Sequence, residues 1–288
     1  MILITTAGKV GAEAARLLAN QQVPVRVLVR DPASAKALEL AREGVDVIAG
    51  DLRSSAALDA AMRGIETVLL VSPAVPDEEI GVISVAVRAG ARHVVKITNK
   101  AAPDSPIARQ RGQAQIEAAL ADSGLDHTLL RSNAFMQNLL MLAPAIAASG
   151  SFGSSAGDGR IGMVDARDVA EAASRIAASP AEHVGKTYWP TGPVALSYRD
   201  AAAILTDVLG RPITFQPRTA EEDMRAMIAA GLPPAVAEDN ARALGLFAQG
   251  DADYVTDDVP TLLGRPARSF QQFAADHAQA FTALVRSR

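Results

Sequence analysis

Cysteine is absent from the 288 residues, which removes disulfides, thiolate nucleophiles and iron–sulfur ligands from consideration. Histidine is nearly as scarce. His93, His127, His183 and His277 stand singly with no ligand spacing, so no metal site is expected. A basic excess is also lacking: the formal net charge is −4, without the positive footprint of a nucleic-acid or anionic-membrane binder. No apolar run approaches the roughly 18 residues a spanning helix needs. No charged leader precedes the short apolar opening at Ile2, so that opening reads as a strand rather than a signal peptide. These absences leave the expectation of a cytoplasmic protein whose partner is a small molecule.

What is present is an alternation. Hydrophobic residues make up 49% of the chain, an ordinary share that suffices for a large core. Short apolar runs at 2–4, 25–30, 45–49, 67–71, 94–98 and 128–131 read as strands. Helical stretches at 12–18, 34–42, 56–62, 78–89 and 108–121 separate them. Strands that are apolar throughout and alternate with helices indicate a parallel sheet covered on both faces. The fold class is therefore α/β, a doubly wound parallel sheet of the Rossmann kind, with a smaller helix-rich C-terminal part. The expected division is 1–150 with 160–180 for the dinucleotide-binding domain, and 151–159 with 181–288 for the substrate-binding part. Within it, 151–159 is glycine- and serine-rich and reads as a flexible linker. A strand is expected at 161–164 and a helix at 165–178. Short strands at 187–190 and 212–216, capped helices from Ser197 and Thr219, a helix at 233–247 and a closing helix at 269–285 complete the reading. This part is expected to lie over the carboxyl edge of the sheet, where such sheets bind ligands.

The first strand runs into Thr5-x-x-Gly8-x-x-Gly11. In a dinucleotide turn, glycines let the backbone approach a pyrophosphate and let the helix pack on the strand. The helix N-terminus then offers free N–H groups to the phosphates. The expected first glycine is replaced here, and an ordinary strand-to-helix loop is the alternative. The second strand ends on Arg30, with Lys36 following in the next helix. A guanidinium there suits a 2′-phosphate, whereas a carboxylate would suit a free ribose hydroxyl. The two cations are otherwise an exposed surface pair, and Asp31 is either the acidic residue one place late or a helix cap ahead of Pro32. Lys9, inside the turn, adds positive charge to the same place. NADP(H) is favoured over NAD(H).

Several segments together resemble the NmrA-like family of atypical short-chain dehydrogenase/reductases. They are the opening strand and turn, Arg30-Asp31-Pro32-Ala33, Gly50-Asp51-Leu52, and Leu125-Asp126-His127-Thr128-Leu129-Leu130-Arg131. Asn133-Ala134-Phe135-Met136-Gln137-Asn138, Asp165-Ala166-Arg167-Asp168-Val169-Ala170 and Thr191-Gly192-Pro193 continue the likeness. It spans essentially the whole chain in order and is nearest to the bacterial NAD(P)H:quinone oxidoreductase-like members. The resemblance implies a Rossmann domain that binds NADP(H) and a small C-terminal domain that shapes a substrate pocket. Carried over, Thr5 opens the turn and Gly8, Lys9, Val10 and Gly11 line the phosphates. Arg30 and Lys36 hold the 2′-phosphate, Asp51 and Leu52 flank the adenine, Val71 and Ser72 approach the ribose, and Thr98 and Asn99 lie near the nicotinamide.

Typical short-chain dehydrogenases carry Tyr-x-x-x-Lys on the helix after the fifth strand, with the tyrosine as general acid. Here that helix reads Ala108-Arg109-Gln110-Arg111-Gly112-Gln113-Ala114-Gln115-Ile116-Glu117. It has no tyrosine, and Gln113 stands where many relatives carry histidine. The missing relay argues against an epimerase or an alcohol dehydrogenase. Hydride transfer to a quinone or another electron-poor acceptor needs little acid assistance, because the cofactor carries the hard chemistry. Asn133, Phe135, Met136 and Asn138 are pocket candidates, joined by Tyr188, Trp189 and Phe152. Asn133 is placed to donate to a carbonyl, while Phe135 and Met136 form either an apolar wall or core. Lys100 is the other catalytic candidate, as an oxyanion stabiliser or a solvated loop lysine. Asp165 and Asp168 read as structural, and Glu117 as a surface or interdomain residue. The expected function is an NADPH-dependent reductase of quinones or similar electrophiles, including one dedicated to a single substrate of secondary metabolism. The alternative is a non-catalytic NADP(H)-binding sensor acting through a regulatory protein partner. A homodimer is compatible with either.

Overall fold

The apolar runs become strands β1 (Ile2–Ile4), β2 (Val25–Val29), β3 (Asp46–Ala49), β4 (Thr67–Leu70), β5 (His93–Thr98) and β6 (Asp126–Arg131). Between them lie α1 (Lys9–Asn20), α2 (Ala35–Arg42), α3 (Ser55–Ala61), α4 (Pro76–Ala89) and α5 (Ala108–Asp122). The chain continues through a 3-10 segment (Met136–Leu142), α6 (Ala143–Ser149), β7 (Ser151–Ser154), α7 (Ala166–Ala178), β8 (Thr187–Tyr188), α8 (Tyr198–Leu209) and β9 (Thr214–Pro217). Helices α9 (Ala220–Ala229), α10 (Pro234–Ala248), α11 (Asp258–Leu263), α12 (Phe270–Asp276) and α13 (Ala278–Thr282) follow. This computed structural model describes residues 1–283. Among them, no helix is long and apolar enough to cross a membrane.

Two units emerge. Unit 1 comprises Met1–Ser105, Arg109–Ser132 and Ala166–Pro190; unit 2 comprises Pro106–Ala108, Asn133–Asp165 and the chain from Thr191 onward. The boundaries differ from the expected 150, 160 and 180. The first unit gives up the chain at Ser132, just past β6, and regains the residues to Pro190 because β8 pairs with β6 in the sheet.

Unit 1 holds a seven-stranded sheet in the order β3-β2-β1-β4-β5-β6-β8, every neighbouring pair parallel. Strand order reverses between β1 and β4, which opens a crevice at the carboxyl ends of those strands. Helices α3, α4 and α5 cover one face through Leu58, Val82, Ile83, Ile116 and Leu120, packed with Leu3, Leu28, Val68 and Leu70 of the strands. Each such buried side chain contributes about 1.5–3 kcal/mol relative to exposure. Helix α7 packs against α1 and against β4 and β5. Its inward residues include Val169, Ala172, Ala173 and Ile176, and the small alanines allow close approach.

Unit 2 has its own core. Phe152, Phe215, Phe270, Phe273 and Phe281 meet Tyr198 there, with Phe152 edge-on to both Tyr198 and Phe215. The chain's few aromatics are therefore concentrated in one cluster. The stretch read as a flexible linker is instead ordered: β7 pairs in parallel with β9. Gly153 and Gly159 serve close packing: a Cβ on Gly159 would stand 2.2 Å from the Phe247 carbonyl oxygen. Residues 161–164 form single bridges to Leu196 and Phe135 rather than a strand. The closing helix is broken at His277 into α12 and α13, and Val285, its expected end, lies outside the described residues.

A cofactor-shaped site at the carboxyl end of the sheet

Every residue assigned to cofactor binding falls in unit 1, at the carboxyl ends of β1 to β5 or in the loops and first helical turns that follow them. Thr5 stands in place of the first glycine, and the structure shows why a side chain is tolerated. Its hydroxyl turns into the crevice between β1 and β4, donating to the Val71 carbonyl at 2.8 Å and accepting from the Val71 N–H at 2.9 Å. Thr6 donates to the same carbonyl at 2.8 Å. The threonines thus stitch the switch point closed one residue beyond the ladder, and Thr5 is buried. Gly11 keeps the role expected of the last glycine. A Cβ there would lie 1.9 Å from the Thr6 carbonyl oxygen, far inside contact distance, so helix and strand fit only without it.

Gly8 is different. It caps α1 without a side-chain hydrogen bond, and its nearest obstacle to a Cβ is the Thr6 hydroxyl at 3.7 Å. The space over the helix N-terminus is therefore open, beside backbone donors at Lys9, Val10 and Gly11 that begin α1. That is a cradle for an anion. Arg30 leaves β2 exposed, with no hydrogen bond or ion pair to any described residue. Its charge is one of the influences that hold the Asp51 carboxyl well below the usual carboxylate range, after the hydrogen bonds and charge of Arg53. Lys36 lies in the first turn of α2 and, like Lys9, is exposed. Ser34, not Asp31, caps α2; Asp31 instead accepts from the Ala33 N–H at 2.9 Å, fixing the turn. Asp51 is clamped by Arg53 at 2.7 Å, and Leu52 is packed into the core of unit 1.

The end of β4 carries a feature that the sequence reading missed. Ser72 donates to Glu79 Oε1 at 2.5 Å, and Glu79 Oε2 pairs with Lys96 Nζ at 2.6 Å. Glu79 and Lys96 are both fully buried. Lys96 also donates to the Ile97 carbonyl at 2.6 Å. Burial pushes its ammonium below the usual lysine range, opposed by Glu79. A signal existed: a lysine inside the apolar run of β5, and a glutamate on the stripe of α4 that also carries Val82 and Ile83.

At the end of β5, Thr98 donates to Glu117 Oε1 at 2.9 Å. Arg131 of β6 grips both oxygens of the same carboxylate, and its guanidinium stacks over Trp189 at 5.1 Å. Glu117 is therefore neither a surface nor an interdomain residue: it is buried within unit 1 and ties α5 to β5 and β6. Beyond Thr98 two amides are left over. Asn99 Oδ1 and Gln113 Oε1 are buried atoms with no hydrogen-bond partner among the described residues. Lys100 follows, half-buried.

The remaining candidates belong mostly to unit 2. Asn133 is buried and committed at both ends, donating to the Ala252 carbonyl at 3.0 Å and accepting from the Ala134 N–H at 2.7 Å. These two bonds tie its amide to the interior of unit 2. Met136 and Phe152 are core, leaving Phe135 half-buried and Asn138 exposed. Tyr188, buried in unit 1, bonds His183 at 2.8 Å. Asp165 and Asp168 are fully buried at the start of α7, with Gln137 donating to Asp165 at 2.7 Å. No cluster of metal-ligating side chains occurs among the described residues.

Comparison with known proteins places these features in context. The NmrA-like family profile matches residues 1–259. An NAD(P)H azoreductase from Xenophilus azovorans is 39% identical over 98% of this chain and 99% of its own. A (4-alkanoyl-5-oxo-2,5-dihydrofuran-3-yl)methyl phosphate reductase from Streptomyces griseus is 39% identical over 98% of this chain and 99% of its own. Among solved structures, an NADPH-dependent quinone oxidoreductase from Escherichia coli complexed with NADPH superposes with a TM-score of 0.86 at 31% identity, covering 96% of this chain and 99% of that one.

Proposed function

The chain belongs to the NmrA-like family, and from that premise we propose that it is an NADPH-dependent reductase of quinones, azo compounds or similarly electrophilic small molecules. The observation that carries the reading is Arg30: an exposed guanidinium at the end of β2 with no hydrogen bond or ion pair among the described residues, on the same sheet edge as the open Gly8 turn. Its planar fork matches the oxygens of a 2′-phosphate. The N-terminus of α1 receives the pyrophosphate, and Ser72, whose proton is committed to Glu79, offers lone pairs to a ribose hydroxyl. The orphaned Asn99 oxygen calls for an N–H donor, which a nicotinamide carboxamide carries. When bound, the cofactor supplies a hydride to an electron-poor acceptor.

The named chemistry of relatives supports the substrate class. An azoreductase, an unsaturated-lactone reductase and a quinone oxidoreductase all act on conjugated electrophiles. The test is affinity for NADPH and NADH in the wild type and in Arg30→Ala, together with NADPH oxidation against a panel of quinones and azo dyes. NADPH affinity is expected to fall by about 1–3 kcal/mol, the scale of a charge-assisted hydrogen bond, with NADH affinity unchanged. An equal loss for both nucleotides would remove the 2′-phosphate assignment. Tight NADP(H) binding with no turnover of any acceptor would favour the sensor instead.

A further inference from the structure

Gln113 is a polar side chain only 4% exposed, and its Oε1 has no partner among the described residues. Leaving a buried amide oxygen unpaired costs about 1–3 kcal/mol, so an orphan of this kind marks a missing partner. Its place on the fold narrows what that partner is. Gln113 lies four residues before Glu117 on α5, on the same side of the helix and about 6 Å along its axis. Glu117 is fastened to Thr98, the last residue of β5. Helix α5 follows a strand of a parallel sheet and runs back along it, so the Gln113 end of this stripe lies past the strand's carboxyl end. The orphaned Asn99 oxygen is also found one residue beyond Thr98. Glycine at 112, where a Cβ would meet Pro76 Cγ at 3.2 Å and the Ala74 carbonyl at 3.4 Å, keeps the helix close to the β4–α4 loop.

We propose that Gln113 is the acceptor-binding group of this site: its amide hydrogen-bonds the carbonyl oxygen of the molecule being reduced. The inference rests on the reductase reading and deepens it. A carboxamide presents either end to the same point by turning about its last bond, so one residue serves the oxidised acceptor as donor and the reduced hydroxyl as acceptor. The step balances without a protein acid. The acceptor gains a hydride from the reduced nicotinamide, which leaves oxidised; the charge that develops on the acceptor oxygen is held by the Gln113 N–H; and water supplies the proton. Such a site favours electrophiles whose reduced monoanions are weak bases, as a quinone's phenolate-type anion with a pKa of about 10 is, over simple ketones, whose strongly basic alkoxides need a proton at once. Ionisable groups on this and the adjoining elements are Glu117, Arg109 and Arg111 on α5, Arg131 on β6, Lys96 on β5 with its partner Glu79 on α4, Asp77 and Glu78 at the start of α4, and Lys100 after β5.

The test compares wild type with Gln113→Leu, which removes both hydrogen-bonding ends, and Gln113→Glu, which keeps the shape but loses the donor when ionised. Menadione is the acceptor. Three readouts are taken: kcat/KM from pH 5 to 8, NADPH affinity, and menadione affinity for protein loaded with NADP+, where no turnover occurs. The leucine variant should lose at least tenfold in kcat/KM and fivefold in menadione affinity, with NADPH affinity held within twofold. The glutamate variant should be at least tenfold impaired at pH 8 and recover toward pH 5 as its carboxyl protonates. Unchanged menadione affinity in the leucine variant, or a glutamate deficit that does not vary with pH, would overturn the proposal. So would a parallel loss of NADPH affinity. Failure of the wild type to oxidise NADPH with any acceptor would instead sink the reductase reading, and the menadione titration would still decide the role of Gln113.

Discussion

Thr5 offers the sharpest test of how this chain builds a dinucleotide turn without its first glycine. Thr5→Val keeps the shape of the side chain and deletes two hydrogen bonds to Val71, of 2.8 and 2.9 Å. The two losses are unequal. The Val71 carbonyl still accepts from Thr6 at 2.8 Å, whereas the Val71 N–H is left with no protein partner. An orphaned buried donor costs about 1–3 kcal/mol, and Val71 is half-buried, so the lower part of that range applies. The added methyl returns up to about 0.8 kcal/mol on burial. The net expectation is a loss of about 1 kcal/mol. Thr6→Val should cost less, about 0.5 kcal/mol, because Thr5 still serves the carbonyl. The double variant strips both groups of Val71 and should exceed the sum by about 0.5–1 kcal/mol. Trp189, the only tryptophan, lies in unit 1, so its fluorescence in a urea titration reports the unit that holds the turn. Midpoints should shift at constant slope. An unmoved midpoint for Thr5→Val, or strict additivity of the pair, would refute the stitching role. A tenfold loss of NADPH affinity with no loss of stability would make Thr5 a cofactor ligand instead.

Two further outcomes follow from buried ionisable groups. His93 is buried, bonded to Thr128 at 2.9 Å, and held below the usual histidine range chiefly by desolvation. It takes up a proton less readily in the fold than in the unfolded chain, whose imidazole protonates below pH about 6.5, so stability is full above that value and falls on acidification by up to about 1.4 kcal/mol per pH unit. His93→Gln should flatten the difference between urea midpoints at pH 7.5 and 5.5; an unchanged difference would assign it to other groups, of which His183 shifts in the same direction. Lys96→Met leaves the fully buried Glu79 without its cation and should cost about 3–5 kcal/mol, whereas adding Glu79→Gln should restore more than half of the loss. Equal damage in the single and double variants, followed by Trp189 fluorescence, would show that the ion pair is not what matters there.

The layout of the sheet was legible because parallel strands covered on both faces are apolar throughout, and the six runs from Ile2 to Arg131 all became strands. Arg30 was legible as well, since a charged residue closing an apolar run stands at the rim by necessity. What escaped were relations between residues far apart in the chain. Glycine and serine at 151–159 have one composition whether they serve flexibility or close contact, and only the Phe247 carbonyl beside Gly159 separates the two. Glu117 looked like a surface residue because its partners, Thr98 and Arg131, lie on different strands. Asn133 and Met136 sit in a segment that resembles a substrate pocket, yet their contacts lie within the interior of unit 2. Lys96 was readable in principle, because a lysine within a strand buried along its whole length must have an anion facing it.

The missing tyrosine then has a structural counterpart. A phenol used as a general acid needs a neighbouring cation to lower its pKa. On α5 the residue a full turn beyond Gln113 is an acid, Glu117, whose charge is neutralised by Arg131 and whose lone pairs are taken by Thr98 and Arg131. That arrangement holds the helix to the strands and puts an acid where the Tyr-x-x-x-Lys relay would place its lysine. The groups left unpaired at the mouth of β5 are amides, Asn99 and Gln113, which bind charge without exchanging protons in the physiological range. On the reductase reading, a site so furnished selects its acceptor by electron affinity rather than by proton donation. On that reading, quinones meet the condition, because their reduced monoanions are weakly basic phenolates, and simple ketones and sugars, whose alkoxides are strong bases, do not.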